Sequence, residues 1–140
     1  MKRFLLSFFA MFLCVLSLSA EGIITLKTSK AKGENLTIRA YCATKDESFT
    51  IDWGDGEAKY YSIDPNGYTF SQYARGDVKG DAITIKGDIV FFECTDSHLT
   101  SFTTSGMTKL ENIDLSNNDL TSFVATDLTA LKQLNLKCTQ

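Results

Sequence analysis

The sequence predicts a mainly β protein, in which a small N-terminal β-sandwich is followed by a short solenoid segment of about 2.5 repeats of 21 residues. Up to residue 88, short runs of alternating apolar and polar residues are separated by turns rich in Gly and Asp, as in antiparallel sheets. From residue 89, apolar positions recur every 21 residues, which indicates stacked repeats. The 140 residues are 44% hydrophobic, which favours a packed core, and the formal charge of −3 has the wrong sign for a nucleic-acid surface.

The first 20 residues have the layout of a secretory signal peptide. Lys2 and Arg3 precede an apolar run over 4–16, and small residues follow. A membrane-spanning helix needs about 20 apolar residues, and this run is shorter. Removal of 1–20 takes two basic and no acidic residues, so the charge moves from −3 to −5, and loss of Cys14 leaves three cysteines. We therefore expect a protein that is secreted or held at the outer cell surface, with a free thiol or an intermolecular disulfide.

Residues 21–88 are expected to form the sandwich domain. Gly54-Asp55-Gly56 lies between two strand-like runs and predicts a hairpin turn, because Gly and Asp tolerate a positive φ. Asp64-Pro65-Asn66-Gly67 predicts a second turn. The expected strands cover 23–28, 36–40, 48–53, 59–63 and 81–86.

This half resembles the PKD-like, immunoglobulin-type sandwiches of secreted bacterial proteins. The resemblance rests on Ile51-Asp52-Trp53-Gly54-Asp55-Gly56, on Tyr73-Ala74-Arg75-Gly76 and on Ile83-Thr84-Ile85. In the family pattern, a strand ends in a Gly-Asp-Gly turn, and a Tyr-x-x-Gly turn and a final alternating strand follow. The resemblance implies a spacer or a minor binding module.

Residues 89–140 carry the repeat. Leu110, Ile113 and Leu115 recur 21 residues later as Leu131, Leu134 and Leu136, and Leu99-Thr100-Ser101-Phe102 recurs as Leu120-Thr121-Ser122-Phe123. Asn118 falls where the chain leaves the strand, and a buried Asn there can bond the backbone of neighbouring coils. Cys94 takes an apolar position, so we expect it to be buried.

The best row, L-x-x-I-x-L-x-x-N-x-L-x-x-F, resembles the leucine-rich repeat. The segment is similar to the arrays of bacterial surface proteins of the internalin type and of Bacteroidetes. That resemblance implies one short strand and one return segment per repeat, and binding of proteins or host surfaces.

Residues between the core positions of the repeat strands are expected to form a solvent-facing binding sheet. Phe91 could be an exposed anchor for a partner, or it could be covered by the junction with the sandwich. The candidate partner-binding residues are Phe91, Glu93, Thr95, Asn112, Asp114, Ser116, Gln133, Asn135 and Lys137.

The third row leaves Leu131, Leu134 and Leu136 on an expected open edge. Three interpretations stay open: pairing with a second copy, binding of a partner that completes the array, and truncation of a longer surface protein. Cys138 is expected to be exposed and is a candidate for an intermolecular disulfide.

Other motifs have stronger structural than functional interpretations. Arg75-Gly76-Asp77 spells the tripeptide that integrins recognise, but Gly76 could simply be a turn glycine. His98 is expected in an exposed loop. No cofactor or catalytic motif is expected, and turn formation is favoured over Ca²⁺ binding for six acidic residues: Asp52, Asp55, Asp64, Asp77, Asp81 and Asp88.

The sequence thus predicts a non-catalytic exported surface protein that binds a protein or glycan partner through its repeats. The alternative is a truncated or vestigial fragment with only a structural role.

Overall fold

The computed structural model describes residues 21–62 and 72–138. The predicted signal peptide and the predicted turn at 64–67 lie outside this part of the chain. Strands make up 52% of the described residues. No helix among them is long and apolar enough to span a membrane.

Eleven strands are found within 21–62 and 72–138. They are β1 (Ile23–Thr28), β2 (Asn35–Cys42), β3 (Ser48–Asp52), β4 (Ala58–Ser62), β5 (Gln72–Asp77), β6 (Ile83–Gly87), β7 (Ile89–Glu93), β8 (Leu99–Ser105), β9 (Asn112–Asp114), β10 (Ser122–Ala125) and β11 (Gln133–Asn135).

The strands form two sheets, which confirms the predicted mainly β class and is consistent with a β-sandwich. The larger sheet has the order β10-β8-β1-β6-β3-β4, and the smaller sheet has the order β11-β9-β7-β2-β5. Inward residues of both sheets belong to one apolar core. The rings of Phe92 in the smaller sheet and Phe102 in the larger sheet lie 5.8 Å apart, so the two sheets pack face to face.

The predicted hairpin joins β3 to β4. Asp52 Oδ1 accepts hydrogen bonds from the backbone N–H of Gly54 at 2.8 Å, of Asp55 at 3.1 Å and of Gly56 at 3.0 Å. Gly54 and Gly56 have φ of 108° and 84°, which residues with a Cβ rarely adopt. The turn was predicted from Asp55 and its two neighbouring glycines, and the structure shows that the Asp52 carboxylate also stabilises it.

The turn predicted at Tyr73-Ala74-Arg75-Gly76 was wrong. These residues lie in β5, which pairs antiparallel with β2 at Thr37↔Arg75. Gly76 is therefore a strand residue and not a turn glycine. It leaves room for the Trp53 ring, because a Cβ placed on it would lie 2.3 Å from Trp53 Cε2. The inward positions of β5 are Ala74, which is 1% exposed, and Gly76. Such small side chains left no alternating apolar pattern for the sequence to reveal.

In the C-terminal part, the 21-residue sequence period corresponds to one step across a sheet. Strands β7, β9 and β11 pair in parallel, in the register Phe91↔Asn112 and Gln133↔Asn112. The sequence predicted that the second half of each repeat would contain no strand. These halves do contain strands, and β10 pairs parallel with β8 at Ser122↔Ser101. Residues 89–109 and 110–130 therefore each supply one strand to each sheet, and the expectation of a single strand per repeat was wrong.

Both sheets continue across the predicted boundary at residue 88. β2 pairs antiparallel with β7 at Arg39↔Glu93, and β1 pairs antiparallel with β8 at Leu26↔Phe102. The two predicted regions thus share both sheets and one core.

Candidate functional site

The candidate site is the outer face of the smaller sheet, made by the residues that point away from the core on β2, β7, β9 and β11, with Tyr73 of the neighbouring β5 beside Arg39. The register sets them in two rows that cross the four strands. One row is Arg39, Glu93, Asp114 and Asn135, and the other is Tyr41, Phe91, Asn112 and Gln133.

Aromatic rings gather at the β2 end of the outer face. The rings of Tyr41 and Phe91 stack 4.8 Å apart, with 6° between their planes. The Arg39 guanidinium carbon lies 5.1 Å from the centre of the Phe91 ring and 5.5 Å from that of Tyr73, within the range of a cation–π contact. Arg39 Nη1 also donates to Glu93 Oε2 at 3.1 Å. Phe91 is half-buried, and Tyr73 is 60% exposed.

The other end of the outer face is polar and internally hydrogen-bonded. Asp114 Oδ2 accepts from Asn135 Nδ2 at 3.1 Å, and its Oδ1 accepts from Ser116 Oγ at 2.6 Å. Partial burial raises the pKa of Asp114, but the hydrogen bonds from Ser116 and Asn135 outweigh it and hold that pKa below its ordinary value. Asp114 is therefore a fixed anionic acceptor on this surface.

The nine predicted binding residues lie on this side of the three parallel strands or just beyond their ends. Thr95 and Ser116 follow β7 and β9 and are half-buried, whereas Gln133 and Lys137 are exposed. Arg39, Tyr41 and Tyr73 were not among the binding residues predicted from the sequence. Arg39 and Tyr41 are outward positions of a strand whose alternation was recognised, and only its pairing with β7 brings them to the site.

Phe91 was predicted to be either an exposed anchor or covered at the junction with the sandwich, and its ring is partly covered and partly exposed. Tyr41 and Arg39 of the neighbouring strand β2 cover part of the ring, as expected at the junction with the sandwich, but the side chain keeps partial exposure. It is an aromatic group supported on one side rather than an isolated anchor.

The Asn118 side chain joins the end of β9 to the segment between β7 and β8. Its Oδ1 accepts from the N–H of Ser97 and of Leu99, both at 3.0 Å. Its Nδ2 donates to the carbonyls of Cys94 at 2.7 Å and of Leu115 at 3.0 Å. Since the residue is only 5% exposed, these bonds satisfy backbone groups that water reaches poorly.

The three cysteines of the described residues are free thiols. Burial raises the pKa of Cys94 to about 12. Burial, with Glu47 and Asp88 nearby, raises the pKa of Cys42 to about 11. Cys138 is exposed, as the sequence predicted.

The Arg75-Gly76-Asp77 tripeptide and His98 lie on different strands and loops and do not form a common site. Arg75-Gly76-Asp77 closes β5, with Gly76 opposite Leu36. His98 is exposed, and its Nδ1 lies 2.8 Å from Asp119 Oδ2. Across 21–62 and 72–138, no group of three or more His, Cys, Asp or Glu side chains is placed to hold a metal ion.

Fold and face together define a mainly β protein of two facing sheets, one of which presents an aromatic and polar surface. Comparison with known proteins gave no match to a family model, to a curated protein or to a solved structure.

Proposed function

We propose that the chain is a non-catalytic, exported surface protein that binds a protein or glycan partner through the outer face of the smaller sheet. The single observation that carries the proposal is the alignment of aromatic, amide and carboxylate side chains in two rows across four adjacent strands. The proposal includes export through the predicted signal peptide and display at the cell surface or in the medium.

The chemistry of the outer face suits recognition. Partly exposed aromatic rings beside an arginine are enriched at the centres of interfaces, and Tyr73, Arg39 and Phe91 provide such a group. Amide and carboxylate groups donate to and accept from peptide groups or sugar hydroxyls. Asn112 places its amide beside the Phe91 ring, Gln133 continues this row on β11, and Asp114 places its carboxylate in the neighbouring row.

We further propose that residues 89–138 form a leucine-rich repeat segment on a PKD-like sandwich. Support comes from the parallel pairing of strands 21 residues apart and from the buried Asn118, whose side chain bonds the backbone of the preceding coil. The Asp52-organised turn and the antiparallel strands before residue 88 support the sandwich part.

The test is binding of the exported chain to a glycan array and to a panel of purified extracellular-matrix proteins. We expect Phe91→Ala and Asp114→Ala each to weaken a detected interaction by about tenfold or more, the loss typical of central interface residues. Tyr60→Ala is the matched control, because Tyr60 is 82% exposed on β4 of the other sheet. Binding that is unaffected by both face variants would contradict the proposed site. An absence of binding on both panels would favour the alternative of a fragment with only a structural role.

A further inference from the structure

The C-terminal end of the two sheets presents two edge strands and apolar residues between them. Along one column of the core, Phe92 is 0% exposed, Ile113 is 2% exposed and Leu134 is 44% exposed. Leu136 is 39% exposed beside it. Within the described residues, no strand pairs with the outer edge of β10 or of β11. We call this surface the open end.

A cavity of about 260 Å³ enters the core at the open end. Its volume is enough for one or two apolar side chains from outside. Its lining is mostly apolar or small and includes Leu120, Phe123, Leu136 and Cys138. The open end therefore has the apolar centre and the two unpaired strand edges that favour β-sheet extension.

The two edges carry opposite charges. Asp119 and Asp127 flank β10, whereas Lys132 and Lys137 flank β11. Lys132 pairs with Glu111 at 2.8 Å, so Lys137 is the main basic group that this edge offers to a partner. Residues 117–138 carry these four charges and no other, so the final coil is neutral as a whole. Asp119 is 62% exposed although it contacts His98. One edge of the open end is thus acidic, the other is basic, and the surface as a whole does not repel a copy of itself.

The strand directions allow this surface to pair with itself. Each coil leaves one sheet and returns to it one strand further on, so β10 and β11 run in roughly opposite directions. A two-fold axis parallel to the strands keeps strand direction and exchanges the two sheets. It brings β10 of each copy antiparallel to β11 of the other, and acidic edges then meet basic edges. An axis perpendicular to the sheets would pair β10 with β10 and β11 with β11, and like charges would meet.

We propose that the open end is the interface of a homodimer in which β10 of each copy pairs with β11 of the second copy. The pairing extends both sheets across the two-fold axis. Phe123 lies beside the second copy's Leu134, with both side chains directed into the joined core, and Asp119 lies near the second copy's Lys137. This interface is distinct from the outer face, so the two proposals can fail independently.

Sedimentation equilibrium of the exported chain, with its N-terminus determined by mass spectrometry, tests the proposal. We expect twice the monomer mass in reducing buffer. Leu134→Lys should raise the dimer dissociation constant by more than about thirtyfold, as for an interface hot spot that occurs twice under the symmetry. Tyr60→Lys, on an exposed site of the opposite edge strand β4, should leave the mass unchanged.

A charge exchange identifies the arrangement and does not depend on the folding of the Leu134 variant. Asp119→Lys and Lys137→Asp should each weaken the dimer, and the double variant should restore it, because the opposite charges then meet again. A monomer at every concentration would overturn the proposal, as would a dimer that Leu134→Lys leaves intact while circular dichroism shows a folded chain. Loss of the dimer in reducing buffer would show that a Cys138 disulfide alone holds the two copies together, and this result would also overturn the proposal. Failure of the double variant to restore the dimer would overturn the β10–β11 pairing.

Discussion

The stability of the repeat segment should depend on Asn118. In Asn118→Ala, two backbone N–H groups and two carbonyls lose their partners. An unsatisfied buried polar group costs about 1–3 kcal/mol, and water can recover some of the loss. With about half of the four groups rehydrated, the free energy of unfolding should fall by about 3 kcal/mol. For a chain of this size, that corresponds to a fall in Tm of about 10 °C.

The assay is urea unfolding followed by far-UV circular dichroism, with Asn112→Ala as the matched control. Asn112 is a half-buried asparagine on the outer face of β9, and its replacement should change the free energy of unfolding by less than about 0.5 kcal/mol, as at ordinary surface positions. A loss below about 1 kcal/mol in Asn118→Ala, or an equal loss in the control, would refute the reasoning that this side chain joins the coils.

Three further predictions concern packing and titration. Gly76→Ala should cost about 2–3 kcal/mol in urea unfolding, because the added methyl overlaps an indole ring; an unchanged midpoint would contradict the packing. In the folded protein at pH 8, a thiol reagent should modify Cys138 promptly, and it should modify Cys42 and Cys94 only after denaturation. The reason is that burial raises the pKa of Cys42 to about 11 and that of Cys94 to about 12. Prompt reaction of all three thiols would contradict the burial of Cys42 and Cys94. Because its folded pKa is lowered, Asp114 stabilises the fold above its ordinary pKa and loses this contribution as the pH falls through the folded value. The cost of Asp114→Asn in unfolding experiments should therefore be larger at pH 7 than at pH 2.5, and an equal cost at both would contradict the shift.

Alternation and period were sufficient to predict much of the fold. Strands near β2, β3 and β6 followed from alternating apolar residues, β1 followed from β-branched residues, and β4 followed from its place after the Gly54-Asp55-Gly56 turn. The 21-residue period gave the in-register columns of the C-terminal part. β5 was missed because Ala74 and Gly76, two of its inward positions, carry little hydrophobic signal. The second strand of each coil was missed because the residues around Phe102 and Phe123 were interpreted as a return segment.

The site was predicted only for the strands that repeat. Spacing of 21 residues identified the outward positions of β7, β9 and β11, since a period places equivalent residues side by side. It could not identify Arg39 and Tyr41, because the antiparallel pairing of β2 with β7 joins residues 54 positions apart, as in the Arg39–Glu93 ion pair. Long-range pairing of this kind leaves no local pattern in one sequence.

The central claim is that the outer face of the smaller sheet binds a partner. The most direct measurement is the dissociation constant of the exported chain and of Phe91→Ala for the glycan or matrix protein bound on the panels, with unfolding curves recorded in parallel. The proposed site predicts a weakening of about tenfold or more for Phe91→Ala at unchanged fold, and no change for Tyr60→Ala. Equal dissociation constants for the wild type and Phe91→Ala would contradict it.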